Sequence, residues 1–355
     1  MTDRKVLLGS PIVQALSRGE QVALVNALTR RGFITAASGI IAAAAAARGV
    51  SAQDATPAAT PVPGVWPRTI HGTFGDVELA AKPERIAAVS DWFEVDYLMA
   101  MGVRPILYGY TNRYELGVSP WLVAAGGDTL EHYDLTDAVD LERMVAATPD
   151  LIIADPFIAE EVVEPLQQIA PTVGIPTPYT GSEDWREAQR LVGQACGTEE
   201  AAELAIAETE AAVAAGREAL APFAGRAVTI LYAFADANMI YGVEESSWVA
   251  KLIEQLGLQF VSRYDGSGQS VELIGEANDA DILLSWDIWG GPAFLEGQPL
   301  FQAISAVQEG RYAVLSGATA RAIFGPTTLS VRWAIAELVE KITLAANGEG
   351  RTIGA

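Results

Sequence analysis

The stretch that decides the fold is TEEAAELAIAETEAAVAAGREALAP, residues 198–222. Thr198 is of the residue type that caps helices, the two glutamates after it suit the positive end of a helix dipole, and Pro222 stops the helix. Roughly 22 residues at about 1.5 Å each predict a rod of about 33 Å. A flexible hinge would be expected to contain Gly, Ser or Pro, so we interpret residues 196–222 as a stiff connecting helix between two lobes.

The residues before this helix, 68–195, alternate between short apolar runs and helical patterns, after a possible hairpin that turns near Gly75. The predicted strands are residues 85–90, 105–110, 151–155 and 172–175, and the predicted helices are about 92–101, 140–147 and 160–169. Short, nearly continuous apolar strands separated by helices indicate a parallel sheet that is covered on both faces. We predict an N-terminal α/β lobe.

A second series of the same kind occupies residues 223–355. The predicted strands are residues 227–234, 239–243, 258–261, 281–286 and 312–316, and the predicted helices are about 247–256, 300–307 and 326–346. A faint internal repeat relates DLERMVAATPDLIIADPF (140–157) to SVELIGEANDADILLSWDIW (270–289). The predicted fold class is α/β, with two Rossmann-like lobes that contain central, mostly parallel sheets and are joined by one long rigid α-helix.

The first 52 residues have the pattern of a signal peptide. The pair Arg30-Arg31 precedes a run of small apolar residues that ends at an Ala-rich exit, and it resembles the twin-arginine export signal. We expect export by the twin-arginine translocase with cleavage near Ala52; the alternative is an uncleaved anchor helix. Residues 53–67, rich in Pro, Ala and Thr, predict a flexible linker.

The chain is strongly acidic, with 45 acidic and 23 basic residues and a net charge of −22. Nucleic-acid binding needs a basic surface, so this charge excludes it as a function class, and it also argues against docking on an anionic membrane. Cys196 is the only cysteine. It lies far from the signal junction, so we expect a protein that is not lipidated and is free in the periplasm or cell envelope.

Enzyme and metal motifs do not stand out in the sequence. There is no nucleophile elbow, dinucleotide loop, phosphate-binding loop or H-E-x-x-H motif. The two histidines, His71 and His132, are far apart, so we expect no directly chelated transition metal and no cofactor. Carboxylates are plentiful without a spacing that marks a catalytic pair. An exported hydrolase stays open as a minor alternative.

With two lobes, a stiff connector and an export signal, the chain resembles the helix-linked (class III) substrate-binding proteins of ABC importers, and within them the iron(III)-siderophore binders. The resemblance covers about residues 68–347. It is carried by the order and spacing of PERIAAVSDWFEVDYLMAMGVRPILYGY (83–110), LERMVAATPDLIIAD (141–155), SSWVAKLIEQLGLQF (246–260) and GRYAVLSGATARAIFGPTTLSVRWAIAEL (310–338).

The resemblance implies a passive binding protein, not an enzyme, whose ligand lies in a cleft between the lobes near the carboxyl ends of the strands. Aromatic walls would bury the organic shell of a ferric siderophore, and arginines would donate to its oxygens. The first-lobe candidates are Trp92, Tyr110, Arg113, Tyr114 and Phe157, and the second-lobe candidates are Tyr241, Trp248, Trp286, Trp289, Arg321 and Phe324. For Trp248 and Trp286 a place in the core is an equal alternative.

Docking on a membrane permease is the second function that the resemblance implies. Family members present one carboxylate per lobe to basic residues of the permease, which works with a cytoplasmic ATPase. Glu142 and Glu272 match these positions, each two residues after a capping residue, Asp140 and Ser270. The alternative is that each glutamate only complements a helix dipole.

Three alternatives for the function remain open at this point. The first is a ferric siderophore as the cargo, in which the siderophore itself holds the iron. The second is the same class of binding protein with cobalamin or haem as its cargo. The iron of haem usually takes a His or Tyr ligand, and the chain offers only two histidines for this role, although the tyrosines remain. An enzyme or an extracytoplasmic sensor on the same scaffold is the third, because fold does not fix function.

Overall fold

The computed structural model describes residues 64–111, 117–136, 138–159, 161–177, 184–235 and 238–353. Residues from Trp66 to Ala355 form one compact unit. The signal segment with Arg30 and Arg31, most of the linker, and the candidates Arg113 and Tyr114 lie outside the described residues, so these assignments stay predictions. We keep the names first lobe and second lobe for the residues before and after the connecting helix.

The first lobe contains a five-stranded, fully parallel sheet behind an antiparallel hairpin of β1 and β2. The order in the sheet is β5-β4-β3-β6-β7, and the central strands β3 and β6 are buried along their whole length. The strands are β1 (Arg68–Gly72), β2 (Gly75–Leu79), β3 (Ile86–Ala88), β4 (Leu107–Tyr110), β5 (His132–Asp134), β6 (Leu151–Ala154) and β7 (Thr172–Gly174). The helices are α1 (Glu94–Ala100), α2 (Pro120–Ala124), α3 (Leu141–Ala147), α4 (Pro156–Ala159), α5 (Val163–Ile169) and α6 (Trp185–Cys196).

The connecting helix α7 spans Glu199–Ala219, and its 21 residues make a rod of about 32 Å at about 1.5 Å per residue. Thr198 precedes the helix but its hydroxyl does not cap it; instead it lies 3.3 Å from the sulfur of Met101. Pro222 falls in a separate 3₁₀ helix, Ala221–Phe223. The rod is therefore present as predicted and begins directly after Thr198, but it ends at Ala219, before the Pro222 that was expected to stop it.

The second lobe contains a mixed sheet of order β11-β9-β8-β12-β13, with β10 also paired to β8. Strands β8, β10, β12 and β13 are parallel, whereas β9 runs antiparallel to both of its neighbours. The strands are β8 (Ala227–Phe234), β9 (Met239–Gly242), β10 (Gln259–Phe260), β11 (Gln269–Ser270), β12 (Ile282–Trp286) and β13 (Tyr312–Leu315). The helices are α8 (Trp248–Gln255), α9 (Gly291–Glu296), α10 (Pro299–Gln302), α11 (Ser305–Gln308), α12 (Gly317–Phe324) and α13 (Thr328–Ala346).

These observations confirm the predicted class of two α/β lobes with mostly parallel sheets. Several elements differ from the prediction. The helix predicted from residue 326 begins at Thr328, because Thr327 caps it together with Ser330 in a reciprocal capping box. The helices α6 and α12 were not predicted at all. In the described part of the chain, no helix has the length and apolar character that crossing a bilayer requires.

The single cysteine, Cys196, is the last residue of α6 and is buried. Burial raises the pKa of its thiol to about 12, far above neutral pH. The thiol is therefore protonated and inert, as is usual for a buried structural cysteine.

Candidate functional site

Two aromatic side chains stack at the carboxyl ends of the central strands of the first lobe. Trp92 follows β3 and Phe157 follows β6, and their ring centroids lie 5.5 Å apart with the planes 24° from parallel. Trp92 is only 5% exposed, whereas Phe157 is half-buried. Phe157 therefore offers the accessible face and Trp92 supports it from behind. We call this pair the first-lobe wall.

Two buried carboxyl groups lie under the first-lobe wall. Glu94 accepts hydrogen bonds from the Ser90 hydroxyl and the Asp155 amide, both at 2.8 Å, and Asp155 accepts one from the Phe157 amide at 3.0 Å. Desolvation by burial, and next the charge of Asp155, raise the pKa of Glu94 to about 8. Glu94 is thus protonated at neutral pH, and the pair fixes the backbone from which Phe157 projects.

Six aromatic side chains form a contiguous group in the second lobe, which we call the second-lobe cluster. Its members are Tyr232, Phe234, Tyr241, Trp286, Trp289 and Phe324. Tyr232 stacks on Trp286 with the centroids 4.3 Å apart, and Phe234 stacks on Trp289 at 4.7 Å. Trp289 and Phe324 are 38% and 41% exposed. The cluster therefore presents aromatic surface to solvent at the carboxyl ends of β8 and β12.

Arg321 reaches from α12 of the second lobe into the first lobe. It is 8% exposed, and its guanidinium donates to the Ser119 hydroxyl and, at 3.0 Å, to the Asp91 carbonyl oxygen. The carboxylate of Asp91 lies 4.0 Å away, and the guanidinium carbon lies 5.3 Å from the ring centroid of Trp121. This arginine was predicted to donate to a ligand between the lobes; the structure shows its guanidinium between the lobes, where it donates to protein groups.

A set of buried hydrogen bonds continues this contact between the lobes, and we call it the polar seam. Asp96 on α1 accepts from the Trp121 indole at 2.7 Å and from the Thr327 hydroxyl at 2.8 Å. The Tyr97 hydroxyl donates to the Pro326 carbonyl at 3.3 Å. Desolvation raises the pKa of Asp96 to about 7, although Arg321 and the hydrogen bonds oppose this shift.

The structure brings together most of the predicted ligand residues in two groups. Trp92 and Phe157 form the first-lobe wall, and four predicted residues belong to the second-lobe cluster: Tyr241, Trp286, Trp289 and Phe324. Tyr110 ends β4, is half-buried, and packs edge-on against His132 with the centroids 5.2 Å apart. Trp248 lies in the core, edge-on to Trp185 at 6.1 Å.

Sequence reasoning missed Tyr232 and Phe234 of the second-lobe cluster. Both lie on β8, two residues apart, so they project from the same face of the strand. That alternation was visible in the sequence AVTILYAF. An aromatic pair at the end of a strand that precedes a hairpin was the signal that could have identified them.

Glu142 and Glu272 are both exposed and both lie in the first turn of a helix that follows a strand. Asp140 caps α3 through its side chain, and Ser270 caps the 3₁₀ helix Val271–Asp279. The 3₁₀ helix follows β11 directly and α3 follows β5 after a short loop, so both glutamates lie on the carboxyl side of their sheet. This is the edge that also carries the aromatic groups.

The described residues contain no group of three or more His, Cys, Asp or Glu side chains that could hold a metal ion. His71 pairs with Asp76 in the hairpin, with 2.7 Å between the nitrogen and the carboxylate oxygen. The Nδ1 of His132 donates to the carbonyl oxygen of Leu130, 3.2 Å away. Both histidines thus have local roles in the first lobe.

Comparison with known proteins gives one family and several relatives. Residues 118–318 match the family described as periplasmic binding protein. The chain is 22% identical to the Fe(3+)-citrate-binding protein YfmC of Bacillus subtilis over 69% of this chain and 76% of that protein. It is 21% identical to YhfQ of the same species, named as an ABC transporter substrate-binding lipoprotein, over 56% of this chain and 59% of that protein.

Among solved structures, PiaA of Streptococcus pneumoniae in complex with ferrichrome is similar. It superposes with a TM-score of 0.65 and 24% sequence identity, over 79% of this chain and 99% of that chain. A likeness at this level of identity establishes the shared fold. The alignment with YhfQ spans less than two thirds of that lipoprotein.

Proposed function

Because this chain belongs to the periplasmic binding protein family, we propose that it is the extracytoplasmic solute-binding component of an ABC importer and captures an iron(III)-siderophore complex. The family and the structural relatives are solute-binding proteins rather than enzymes, which confirms both the resemblance and the expectation of a protein without catalysis. Members of this family work outside the cytoplasm.

The observation that carries the proposal is the exposed aromatic surface of the second-lobe cluster. A ferric siderophore encloses its metal in an organic shell with an apolar exterior and a few outward oxygens. Such a guest gains stability from contact with flat aromatic faces, and Trp289 and Phe324 provide them. The half-buried face of Phe157 offers a smaller aromatic surface in the first lobe. The iron-related names of YfmC and of the PiaA complex support this class of cargo.

The test is a fluorescence titration of the ligand-free protein, which contains eight tryptophans. The probes are ferric hydroxamates, ferric catecholates, ferric citrate, haem and cobalamin. We expect saturable quenching by at least one ferric siderophore, because these complexes absorb where tryptophan emits. Saturable binding of haem or cobalamin alone would contradict the proposal, and so would chemical turnover of any probe.

A matched pair of variants tests whether the second-lobe cluster is the surface that binds. Trp289→Ala combined with Phe324→Ala removes the two exposed aromatic faces, and we expect the affinity for the quenching siderophore to fall at least about tenfold, since interface aromatics often contribute more than about 1 kcal/mol each. Leu300→Ala removes a similarly exposed apolar side chain elsewhere, with 48% exposure, and should leave affinity unchanged. Unchanged affinity in the double variant would contradict the assignment.

Delivery to a permease is the second part of the proposal. We assign Glu142 and Glu272 as the docking carboxylates because both are exposed, both begin a helix, and both lie at the carboxyl edge of their lobe. One acidic side chain per lobe suits a permease that carries basic residues on two related halves. We further propose that the twin-arginine signal exports the chain without lipidation, in contrast to the lipoprotein YhfQ.

A further inference from the structure

We propose that Arg321 is a positioning residue: from the second lobe it holds the first-lobe wall in place through Asp91 and Thr111, and it does not contact the guest itself. This inference rests on the proposed function, because the wall matters for binding only if a guest is held there. It assigns Arg321 a different task from the one that the sequence suggested.

Hydrogen bonds connect Arg321 to Trp92 by way of Asp91, which takes part through both its backbone carbonyl and its side chain. One carboxylate oxygen of Asp91 accepts from the Thr111 hydroxyl at 2.8 Å and from the Thr111 amide at 3.2 Å. The Thr111 hydroxyl in turn accepts from the indole nitrogen of Trp92 at 3.3 Å. Arg321 donates to the carbonyl oxygen of the same Asp91. The chain thus begins at the second lobe and ends at the ring that supports Phe157.

The chemistry of the donors and acceptors fixes the direction of these bonds. An indole N–H can only donate and a carboxylate can only accept, so the Thr111 hydroxyl must accept from Trp92 and donate to Asp91. A hydroxyl fixed at both ends holds the indole in one orientation. Because Trp92 stacks on Phe157, the orientation of the indole sets the plane of the accessible ring.

Arg321 lies in a buried environment that contains both polar and aromatic groups. Its guanidinium is buried, donates to the Ser119 hydroxyl and the Asp91 backbone carbonyl, and faces the ring of Trp121. It also lies 4.0 Å from the Asp91 carboxylate, with which it forms a charge pair. Removing one partner of a buried charge pair leaves the other charge uncompensated in a poorly solvated place. Loss of Arg321 would therefore disturb Asp91 first, and through it Thr111 and Trp92.

The experiment uses the full chain and two substitutions that break the chain of bonds at different points. Arg321→Met removes the cation, and Thr111→Val removes only the central hydroxyl while keeping its shape and all charges. Each is made in the wild-type background and with Trp92→Phe, so that the difference between the two emission spectra reports Trp92 alone. The ligand-free protein is measured first, and ferrichrome and the other ferric siderophores are then titrated.

We expect both substitutions to shift the Trp92 emission of the ligand-free protein to longer wavelength, because the indole loses its fixed partner and gains contact with water. For any ferric siderophore that the wild type binds, each substitution should weaken affinity about tenfold. The double variant should lose about tenfold as well, and not about a hundredfold, because both changes break one chain.

Arg68→Met is the matched control. Arg68 is equally buried and donates to the Gln194 carbonyl and the Glu199 carboxylate, away from the chain of bonds described above. Its loss should lower thermal stability and leave the Trp92 emission and the affinity unchanged. If Arg68→Met shifted the Trp92 emission as much as Arg321→Met, the signal would reflect general loosening and the proposal would be overturned.

A direct contact between Arg321 and the guest would also overturn the proposal, and it has a distinct signature. In that case Arg321→Met would weaken binding while Thr111→Val would not, and neither would shift the Trp92 emission. Failure of the wild type to bind any ferric siderophore would overturn the proposed function instead. The emission of the ligand-free variants would still decide the role of Arg321.

Discussion

Glu94 is a carboxyl group that the fold encloses completely and keeps protonated at neutral pH. Its pKa is raised from the ordinary value of 4.5 to about 8 by burial and by the nearby charge of Asp155. Its two oxygens bind the backbone of the segments that carry Trp92 and Phe157. A single titratable side chain therefore couples the stability of the first-lobe wall to pH.

The first prediction concerns the pH dependence of stability. Because the native state holds the Glu94 proton more tightly than the unfolded chain does, its contribution to stability is complete below about pH 4.5 and is lost as the pH rises through about 8. Glu94→Gln cannot ionise, so the variant should lose less stability than the wild type between pH 5 and pH 8.5. Thermal unfolding across this range measures the difference.

Glu254→Gln is the control for this prediction, since Glu254 is exposed on α8. It should follow the wild-type pH profile. Parallel profiles for wild type and Glu94→Gln would show that Glu94 ionises at its ordinary pKa in the folded protein, contrary to the expectation.

Sequence reasoning identified the aromatic residues at the strand ends but not their accessibility. Trp92 and Trp286 were predicted because each follows or ends an apolar run, and position along a strand can be read from the pattern. Whether such a ring faces solvent or is covered by a neighbour depends on packing from other parts of the chain. The same limit applies to Arg321, whose partners Asp91 and Ser119 lie more than 200 residues away in sequence.

At the level of elements, the connecting helix α7 is held against the second lobe by close packing. The Thr209 hydroxyl donates to the Thr328 carbonyl at the start of α13 at 2.9 Å. A Cβ atom at Gly216 would lie 2.9 Å from a methyl of Leu256 and 3.1 Å from one of Ile335. Glycine at this helical position therefore permits a close approach that a larger residue would prevent.

The second prediction follows from this close approach. Gly216→Val would press its side chain into α8 and α13, and overpacking of this kind costs about 1–3 kcal/mol of unfolding free energy. Chemical denaturation of the variant measures the loss. The affinity for the guest should change little, because the aromatic groups lie at the other end of the strands.

Gly275→Val is the matched control, since a Cβ atom at Gly275 would meet nothing within 4 Å. Its stability should stay within about 0.5 kcal/mol of the wild type, as is usual for surface changes. Equal effects of the two substitutions would show that the space around Gly216 is not what limits the side chain there.

The element pattern was predictable wherever apolar runs were short, continuous and bounded by helices. The helix α6 was missed although Trp185, Ala188, Val192 and Ala195 share its buried face at helical spacing, so a signal was present. The sequence signal for the helix α12 was weaker, because GATARAIF begins with small residues and has no clear polar face. The antiparallel direction of β9 was also not predicted, since the residue pattern of a strand does not reveal the direction in which it pairs.

At the scale of the whole molecule, the two glutamates assigned to docking share one edge of their sheets with the aromatic groups. Glu142→Arg together with Glu272→Arg should leave the affinity for the guest unchanged in solution and abolish uptake by cells. The reason is that two reversed charges would repel a basic permease surface while the strand ends that carry the aromatic residues stay intact. Uptake of the radiolabelled iron complex measures the effect.

The control for docking is Glu84→Arg together with Glu254→Arg. Both residues are exposed; Glu84 precedes β3 and Glu254 lies at the end of α8, so they are at the amino edge of the sheets. The charge change is the same and uptake should persist. Uptake that survives in the Glu142 and Glu272 variant would refute the docking assignment.

Because the thiol of Cys196 is inert, spectroscopic labels can be attached selectively to cysteines introduced elsewhere in this chain. A sulfhydryl that stays protonated and shielded does not compete for thiol-directed dyes or spin labels. Cysteines introduced at Glu84 and Glu254 would therefore take up probes selectively, one in each half of the protein. The separation of such a pair, measured with and without cargo, would report directly whether the distance between the two halves changes.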